Sequence, residues 1–472
     1  MKKYLLFGTG DYYDRYKKWF DGEVVLAVLD NAVEKQGTYL NGIRILSPEE
    51  GIQLNFDRIV ILSFYVVEMR RQLIELGVSS DKIFHFYDLH KIFDVEEKEK
   101  EVRYYGGAKE IADCEEKNKI LLLSQDMTFG GPSLALFQAA RVLRRHGYQV
   151  VYASMLDGPL RDKLLKAGVP VIVDENMQIA VMKKVQWICK FSMYICNTIN
   201  FYVFLSERNT RIPAIWWLHD SHFFYGGVDR SVLQRIDMTN LQVVSVGPVP
   251  KAAIHEFLPN MHIGQLLYSV EDTFLNKFHM RHGGKKIVFV TIGYIEARKG
   301  QDLLVNAIER LNQNVREKAL FYLVGQDSSE MAKRLKKQSL EIPELIITGT
   351  VGRDEINQLL DCADVLICPS REDPMPTVCA EAMMHAVPCI VSDSVGTAAF
   401  ISDTVNGFLF KSENVDELTS KIQWCVENHS ELFVMGIRAR AIYEKKYTTN
   451  IFEKELLELT EAALVHAERQ RI

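Results

Sequence analysis

The run Cys368-Pro-Ser-Arg-Glu-Asp-Pro-Met-Pro-Thr-Val-Cys-Ala-Glu-Ala-Met-Met-His-Ala-Val-Pro-Cys-Ile-Val-Ser392 decides the fold. An apolar segment, Ala363-Asp-Val-Leu-Ile367, leads into it and reads as a buried parallel strand. Pro369, Pro374 and Pro376 forbid a continuous helix through the loop. A helix can begin at Thr377, whose hydroxyl can cap it. Pro388 ends that helix, and Cys389-Ile-Val391 makes the next short strand. Asp373 therefore sits on the loop and Glu381 about one turn into the helix, with seven residues between them. Both carboxylates then flank the carboxyl end of a parallel sheet, where open α/β sheets bind ligands. A carboxylate there can accept bonds from the vicinal hydroxyls of a ribose or hexose. The positive start of the helix at Thr377 and Val378 suits a diphosphate.

Upstream of this run, Lys286-Ile-Val-Phe-Val-Thr291 opens the same sheet. It leads into Gly293-Tyr-Ile-Glu-Ala-Arg298-Lys299-Gly300 and a helix over Gln301–Leu311. Two adjacent cations at a strand's carboxyl end suit a diphosphate leaving group. Leu320–Val324 and Leu345–Thr348 are further strands, and Thr348-Gly-Thr-Val351-Gly352 follows the second. An earlier sheet begins at Ile120-Leu-Leu-Leu-Ser124, with a glycine turn at Gly130-Gly131 and an amphipathic helix over Leu134–Arg145. Gln149–Ser154, Val169–Val173, Met193–Asn197 and Ile212–Leu218 continue it. The last of these runs straight into His219-Asp220. A lone histidine at a strand's carboxyl end is usually structural, and Asp220 is available to orient the imidazole. The glycine pair reads either as a plain strand-to-helix turn or as a close approach to a phosphate or sugar.

These motifs together resemble the retaining glycosyltransferases of the GT-B fold, family 4. The likeness rests on Asp373 and Glu381 with their spacing, Arg298-Lys-Gly300, His219-Asp220, Gly130-Gly131 and the closing strand Asn406-Gly-Phe-Leu-Phe410. It covers about residues 119 to 460 and is strongest from 286 to 410. The resemblance implies an α/β, GT-B architecture of two Rossmann-like domains facing a cleft. Residues 119–275 would be the acceptor domain and 285–447 the donor domain, with 448–472 packing back on the first. Glu381 would hold the donor ribose, and Asp373 would lie beside the transferred sugar. His219 would meet that sugar from the other domain. Arg298 and Lys299, with Gly293, Thr377 and Val378 around them, would take the diphosphate, and Val351 would lie against the base. Tyr294 stands where the family often has a further arginine. The implied reaction moves a sugar, with retention, from a nucleotide sugar, UDP- or GDP-linked, to a glycan, lipid-linked or protein acceptor. The implied setting is bacterial cell-surface polysaccharide or glycoconjugate synthesis. No cofactor or metal is expected, since no Asp-x-Asp stands near a strand end in the donor half.

Residues 1–97 read as a small third domain, Rossmann-like, preceding the other two. Tyr4–Phe7, Val24–Leu29, Asp57–Leu62 and Lys82–Phe86 are its strands, with a helix near Glu68–Leu76. Gly8 and Gly10, with Asp30 twenty residues on, match part of the dinucleotide fingerprint. Tyr13 occupies the third glycine's place, where bulk would hinder helix packing and pyrophosphate approach. A structural or accessory role is thus preferred over a nucleotide site. Residues 98–118, with charged runs at either side, read as a solvated linker.

The bulk composition excludes several classes. The 472 residues carry a net charge of −6, which argues against a nucleic-acid binder. Eight scattered cysteines without a C-x-x-C pair suit reduced thiols in a cytosol. The apolar run after Met1-Lys-Lys is too short for a signal peptide, and no stretch approaches eighteen apolar residues. The expected location is cytoplasmic. Ala180–Phe191, with three lysines, reads as a core helix or as a peripheral contact with an anionic membrane. Three rivals remain at this stage: an NAD-dependent first domain, a catalytically silent nucleotide-sugar-binding partner or regulatory subunit, and a phosphorylase. The first needs an intact fingerprint. The second predicts loss of the His219, Arg298, Lys299 and Glu381 set. The third needs a pyridoxal lysine.

Overall fold

The computed structural model describes residues 2–63, 65–93, 101–114, 118–178, 185–274, 286–326 and 329–469. The glycine-containing hinge at 282–284 and part of the lysine-bearing segment 180–191 lie outside them. Three sheets organise the chain. The first runs, in spatial order, Tyr39–Leu40, Ile43–Leu46, Val24–Leu29, Lys3–Phe7, Arg58–Ile61, Ile83–His85. Its pairings are parallel apart from the first. The second has eight strands, in the order Gly264–Gln265, Leu241–Ser245, Ala214–Leu218, Met193–Asn197, Lys119–Ser124, Gln149–Ser154, Val171–Val173, Arg103–Tyr105. The third runs Leu345–Gly349, Ala319–Val324, Ile287–Ile292, Val365–Cys368, Cys389–Ser392, Gly407–Phe410, all parallel.

The contact pattern divides the chain into two compact units. One comprises residues 1–128, 148–214 and 222–241; the other comprises 129–147, 215–221 and 242–472. In the first unit, the strand Lys119–Ser124 is wholly buried, with Ile120 to Leu123 apolar on both faces, as a central parallel strand must be. The second unit holds the third sheet, whose core includes Phe289 stacked on Phe321 at 4.9 Å. The terminal helix Thr449–Arg469 belongs to the same unit. Its Phe452 stacks on Trp217, and its Glu453 pairs with Arg145 at 2.5 Å and His146 at 2.6 Å.

Two expectations need correction. The segment 98–118 is more than a solvated linker. Arg103–Tyr105 adds an antiparallel edge strand to Val171–Val173, and Ala108–Asp113 is a helix. Charge at the two ends of this segment hides a tyrosine pair that can pack: Arg161 lies 5.0 Å from the Tyr105 ring, and Arg103 pairs with Asp157 and Glu175. Tyr13 does not obstruct the first domain either. Its ring is buried, 2 % exposed, and its hydroxyl accepts a bond from Asn41 Nδ2 at 3.4 Å.

Candidate functional site

The acidic loop follows the buried strand Val365–Cys368, and its helix runs over Thr377–Met384. Pro376, not Thr377, is the residue at the helix boundary, and no side chain caps it. Arg371 fixes the loop from below. Its guanidinium makes a bidentate bond to Asp302 at 2.8 and 2.9 Å, reaches the Ala297 carbonyl at 2.6 Å and pairs with Glu413. The hydrogen bond with Asp302 is the first cause that pushes Arg371 above its ordinary value. Such bidentate pairs fix geometry as well as energy.

Asp373 and Glu381 are both buried, at 4 % and 8 % exposure, and each holds a cation. Lys299 Nζ pairs with Asp373 Oδ2 at 2.5 Å. Arg353 Nη1 pairs with Glu381 Oε1 at 2.7 Å. A carboxylate taken out of water without such a partner costs several kcal/mol. Arg298 donates to the Glu372 carbonyl at 3.1 Å and pairs with Glu296 at 2.8 Å. The two adjacent cations thus grip the acidic loop itself.

Gly293 and Gly325 follow two neighbouring strands of this sheet, and Gly349 ends the next. Gly325 has φ +158°, and a Cβ there would lie 1.8 Å from the Gly293 carbonyl oxygen. Only glycine lets these two loops approach. Val351 and Gly352 follow Gly349, and Gly352 precedes the helix Arg353–Cys362, donating its N–H to Glu355 at 2.8 Å. Arg353 is the first residue of that helix, so the segment expected to meet a base also delivers the cation beside Glu381.

The same unit brings other segments to this place. A Cβ on Gly131 would stand 3.9 Å from Thr377 Cγ2, and one on Gly247 would stand 2.3 Å from Met375 Cε. Gly130 is the residue before the helix Gly131–Arg145. Thr397 and Tyr447 donate hydrogen bonds to the Met375 sulfur, at 3.6 and 3.3 Å. Val378 is half-buried beside Thr377 in the first turn of its helix.

His219 ends the strand Ala214–Leu218, whose five residues are all buried. It is 7 % exposed, its ring centroid is 4.6 Å from that of Trp217, and its Nε2 has no hydrogen-bond partner among the described residues. Burial pushes the imidazole down to about 3, so it is neutral at physiological pH. Between that value and the ordinary one near 6.5, the unfolded chain binds a proton that the folded chain refuses. This contribution to stability is complete above pH 6.5 and is lost as pH falls toward 3. By pH 4 the loss amounts to roughly 3 kcal/mol. His219→Gln is therefore expected to flatten part of the acid limb of stability. Urea melts of both proteins from pH 7 to 4 would measure it, and parallel limbs would place the titration elsewhere.

Sequence reasoning missed two neighbours of the carboxylates. Arg353 has no signature beyond following Gly352. Tyr268 stands in an apolar run, Leu266-Leu-Tyr268, that looks like ordinary core. Its hydroxyl is buried with no hydrogen-bond partner among the described residues. Burial is the main cause that raises it, followed by Tyr447, Cys379, Asp373 and Glu381, so it shares their surroundings.

Comparisons with known proteins agree with this layout. The family described as Glycosyl transferases group 1 matches residues 272–444, and Glycosyl-transferase family 4 matches 116–245. The C2185-like, N-terminal family matches residues 1–84. An uncharacterised glycosyltransferase of Methanocaldococcus jannaschii is 24% identical over 251 residues, 52% of this chain and 67% of that protein. The lipopolysaccharide glucosyltransferase WaaG of Escherichia coli K12 is 26% identical over 142 residues, 28% of this chain and 36% of its own length. The chain thus spans about two thirds of one curated relative and little more than a third of the other. The structure of HepE from Anabaena in complex with UDP-glucose superposes with a TM-score of 0.60, at 20% identity, over 73% of this chain and 99% of that one. The structural match and the two largely parallel sheets show the GT-B fold, and the two family models are of glycosyltransferases. Residues 272–444 thus match the group 1 glycosyltransferases and residues 116–245 the family 4 glycosyltransferases, with a further amino-terminal domain before them. No described helix is long and apolar enough to cross a membrane.

Proposed function

We propose that this chain is a retaining glycosyltransferase. It would move a sugar from a UDP- or GDP-sugar to a glycan, lipid-linked or protein acceptor in bacterial cell-surface glycoconjugate synthesis, at the cytoplasmic side. Residues 285–447 would bind the donor and 119–275 the acceptor, with residues 1–97 as a separate third domain. The observation that carries this reading is the pair of buried carboxylates, Asp373 and Glu381, each matched to its own cation at the carboxyl end of a parallel strand. Support also comes from the relatives: the Anabaena HepE structure is a complex with UDP-glucose, and one curated relative in Mycolicibacterium smegmatis is a GDP-mannose-dependent mannosyltransferase.

In this reading the ribose hydroxyls donate to Glu381, and Arg353 yields part of its place. Asp373 accepts from the sugar's hydroxyls. As the bond from C1 to the phosphate oxygen breaks, charge grows on the diphosphate, and Lys299 with Arg298 lies within reach of it. The acceptor hydroxyl forms the new bond to C1, and its proton leaves with the phosphate. Neutral His219 offers Nε2 to the transferred sugar. The deciding experiment is a thermal-shift panel of UDP-, GDP- and ADP-sugars. A donor at a hundredfold its dissociation constant stabilises by about 2.7 kcal/mol. No shift with any of them would remove the donor site.

Two further results are expected. Activity survives EDTA, because Arg298 and Lys299 supply the positive charge that a metal gives elsewhere. Loss on chelation with recovery on adding magnesium or manganese would contradict this. Arg353→Ala raises the donor KM by no more than roughly fivefold with kcat little changed, because a half-exposed ion pair that holds Glu381 in place is worth about 1 kcal/mol or less. A collapse of kcat instead would put Arg353 at the reacting centre.

A further inference from the structure

The first domain contains a cavity of about 340 Å³, lined in part by Gly8, Thr9, Gly10, Asp30 and Met69. It lies where the strands Lys3–Phe7, Val24–Leu29 and Arg58–Ile61 end. Lys3–Phe7 is the middle one of these three, so the chain order reverses beside it. Such reversals open crevices that hold ligands in α/β sheets.

The two glycines of this cavity have different reasons to be there. Gly8 has φ +115°, and a Cβ would stand 2.5 Å from the Leu62 carbonyl oxygen, so the fold itself requires glycine. Gly10 is extended, at φ −91° and ψ −160°, and a Cβ there would meet no heavy atom within 4 Å. The fold has no need of glycine at this second position. What a side chain at Gly10 would crowd is the cavity it lines.

Asp30 is held in one orientation. Its Oδ1 accepts from the Ala32 N–H at 2.8 Å, its Oδ2 accepts from the Thr9 hydroxyl, and Lys35 lies 3.6 Å away. Lys35 also donates to Thr9 at 3.0 Å. A carboxylate accepts about four hydrogen bonds, so roughly two places remain. The helix after Gly10 has only six residues and opens with Asp11, so the cavity has no seat for a phosphate. The volume lies at the low end of small-molecule sites, which run from about 300 Å³ to 1,000 Å³. That is room for one nucleoside and too little for a dinucleotide.

We propose that the first domain binds a single ribonucleoside moiety. Its vicinal hydroxyls donate to Asp30, and its base lies against Met69 and Tyr65, which line the same cavity. This site is separate from the donor site and does not depend on the transferase reading. The test is calorimetry on the full chain carrying Glu381→Ala, so that the donor site does not dominate the signal. The probes are uridine, cytidine, adenosine and guanosine, each beside its 2′-deoxy form, at millimolar concentration. At least one ribonucleoside is expected to bind, with its 2′-deoxy form weaker by roughly tenfold or more, since a hydrogen bond to a charged group is lost. Gly10→Leu, added to the same protein, is expected to abolish that binding. Asp30→Asn is expected to weaken it by a factor like that of the deoxy ligand. Absence of binding by all four ribonucleosides overturns the proposal. So does binding that Gly10→Leu leaves unchanged, or that the 2′-deoxy forms match.

Discussion

Glu381→Ala is expected to lower kcat/KM for the nucleotide-sugar donor by roughly 10²- to 10⁴-fold, with the fold intact. The magnitude follows from two ribose hydroxyls donating to one carboxylate. Each charge-assisted bond is worth about 1.5–3 kcal/mol, and about 1.4 kcal/mol is a factor of ten. The fold is expected to survive because the partner left behind, Arg353, has a side chain 55% exposed. It can turn to water and avoid becoming a buried unpaired charge. Glu381→Gln keeps one acceptor oxygen and should fall between. Initial rates at subsaturating donor measure the effect, with circular dichroism as the fold control. Near-wild-type turnover in Glu381→Ala would take Glu381 out of the site.

The reason to read Glu381 so strongly lies in its surroundings. Its neighbours in the helix, Cys379, Ala380, Ala382, Met383 and Met384, are all buried and none is charged. A carboxylate in such a helix has a cost, and burial of a charge is tolerated when it is paired and hydrogen-bonded. A structural role alone would be served more cheaply by an apolar side chain of similar volume.

Much of this is legible in the sequence because it depends on local rules. Prolines at 369, 374 and 376 break the chain where the loop must be, and the apolar run before them needs a sheet. That fixes where the strand ends and the helix starts, and so where the two carboxylates stand. What is not legible depends on distant partners. Arg353 reaches Glu381 from the start of another helix, and nothing in Gly352-Arg353 announces it. Spacing alone leaves Arg298 and Lys299 open to a diphosphate, whereas each already holds part of the acidic loop. Tyr13 looks like an obstacle only while its bulk is taken to point at the crevice; Asn41, twenty-eight residues on, sits by its hydroxyl instead. Composition misleads at 98–118, where tyrosines and one arginine outweigh the flanking charge once an edge strand is on offer.

His219→Ala is expected to lower turnover by roughly 10²- to 10³-fold, the size of losing one transition-state hydrogen-bond donor. Affinity for the free nucleoside diphosphate should barely change. The argument begins with the strand. Ala214–Leu218 is wholly buried, so its register cannot slip, and the next residue must emerge at its carboxyl end. That strand belongs to the eight-stranded sheet, whereas Glu381, Asp373, Lys299 and Arg353 all come from the six-stranded sheet that closes the chain. In the proposed reading the ribose and diphosphate groups are therefore addressed without His219, and what remains for it is the transferred sugar. Its chemistry suits that task. An imidazole pushed down to about 3 stays neutral and can offer one N–H or one lone pair, never a fixed positive charge to a phosphate. The pH profile of kcat between 5 and 8 should accordingly carry no step from this residue. Calorimetry with UDP and GDP on the mutant completes the test. A large loss of nucleoside diphosphate binding would place His219 beside the nucleotide and undo this assignment.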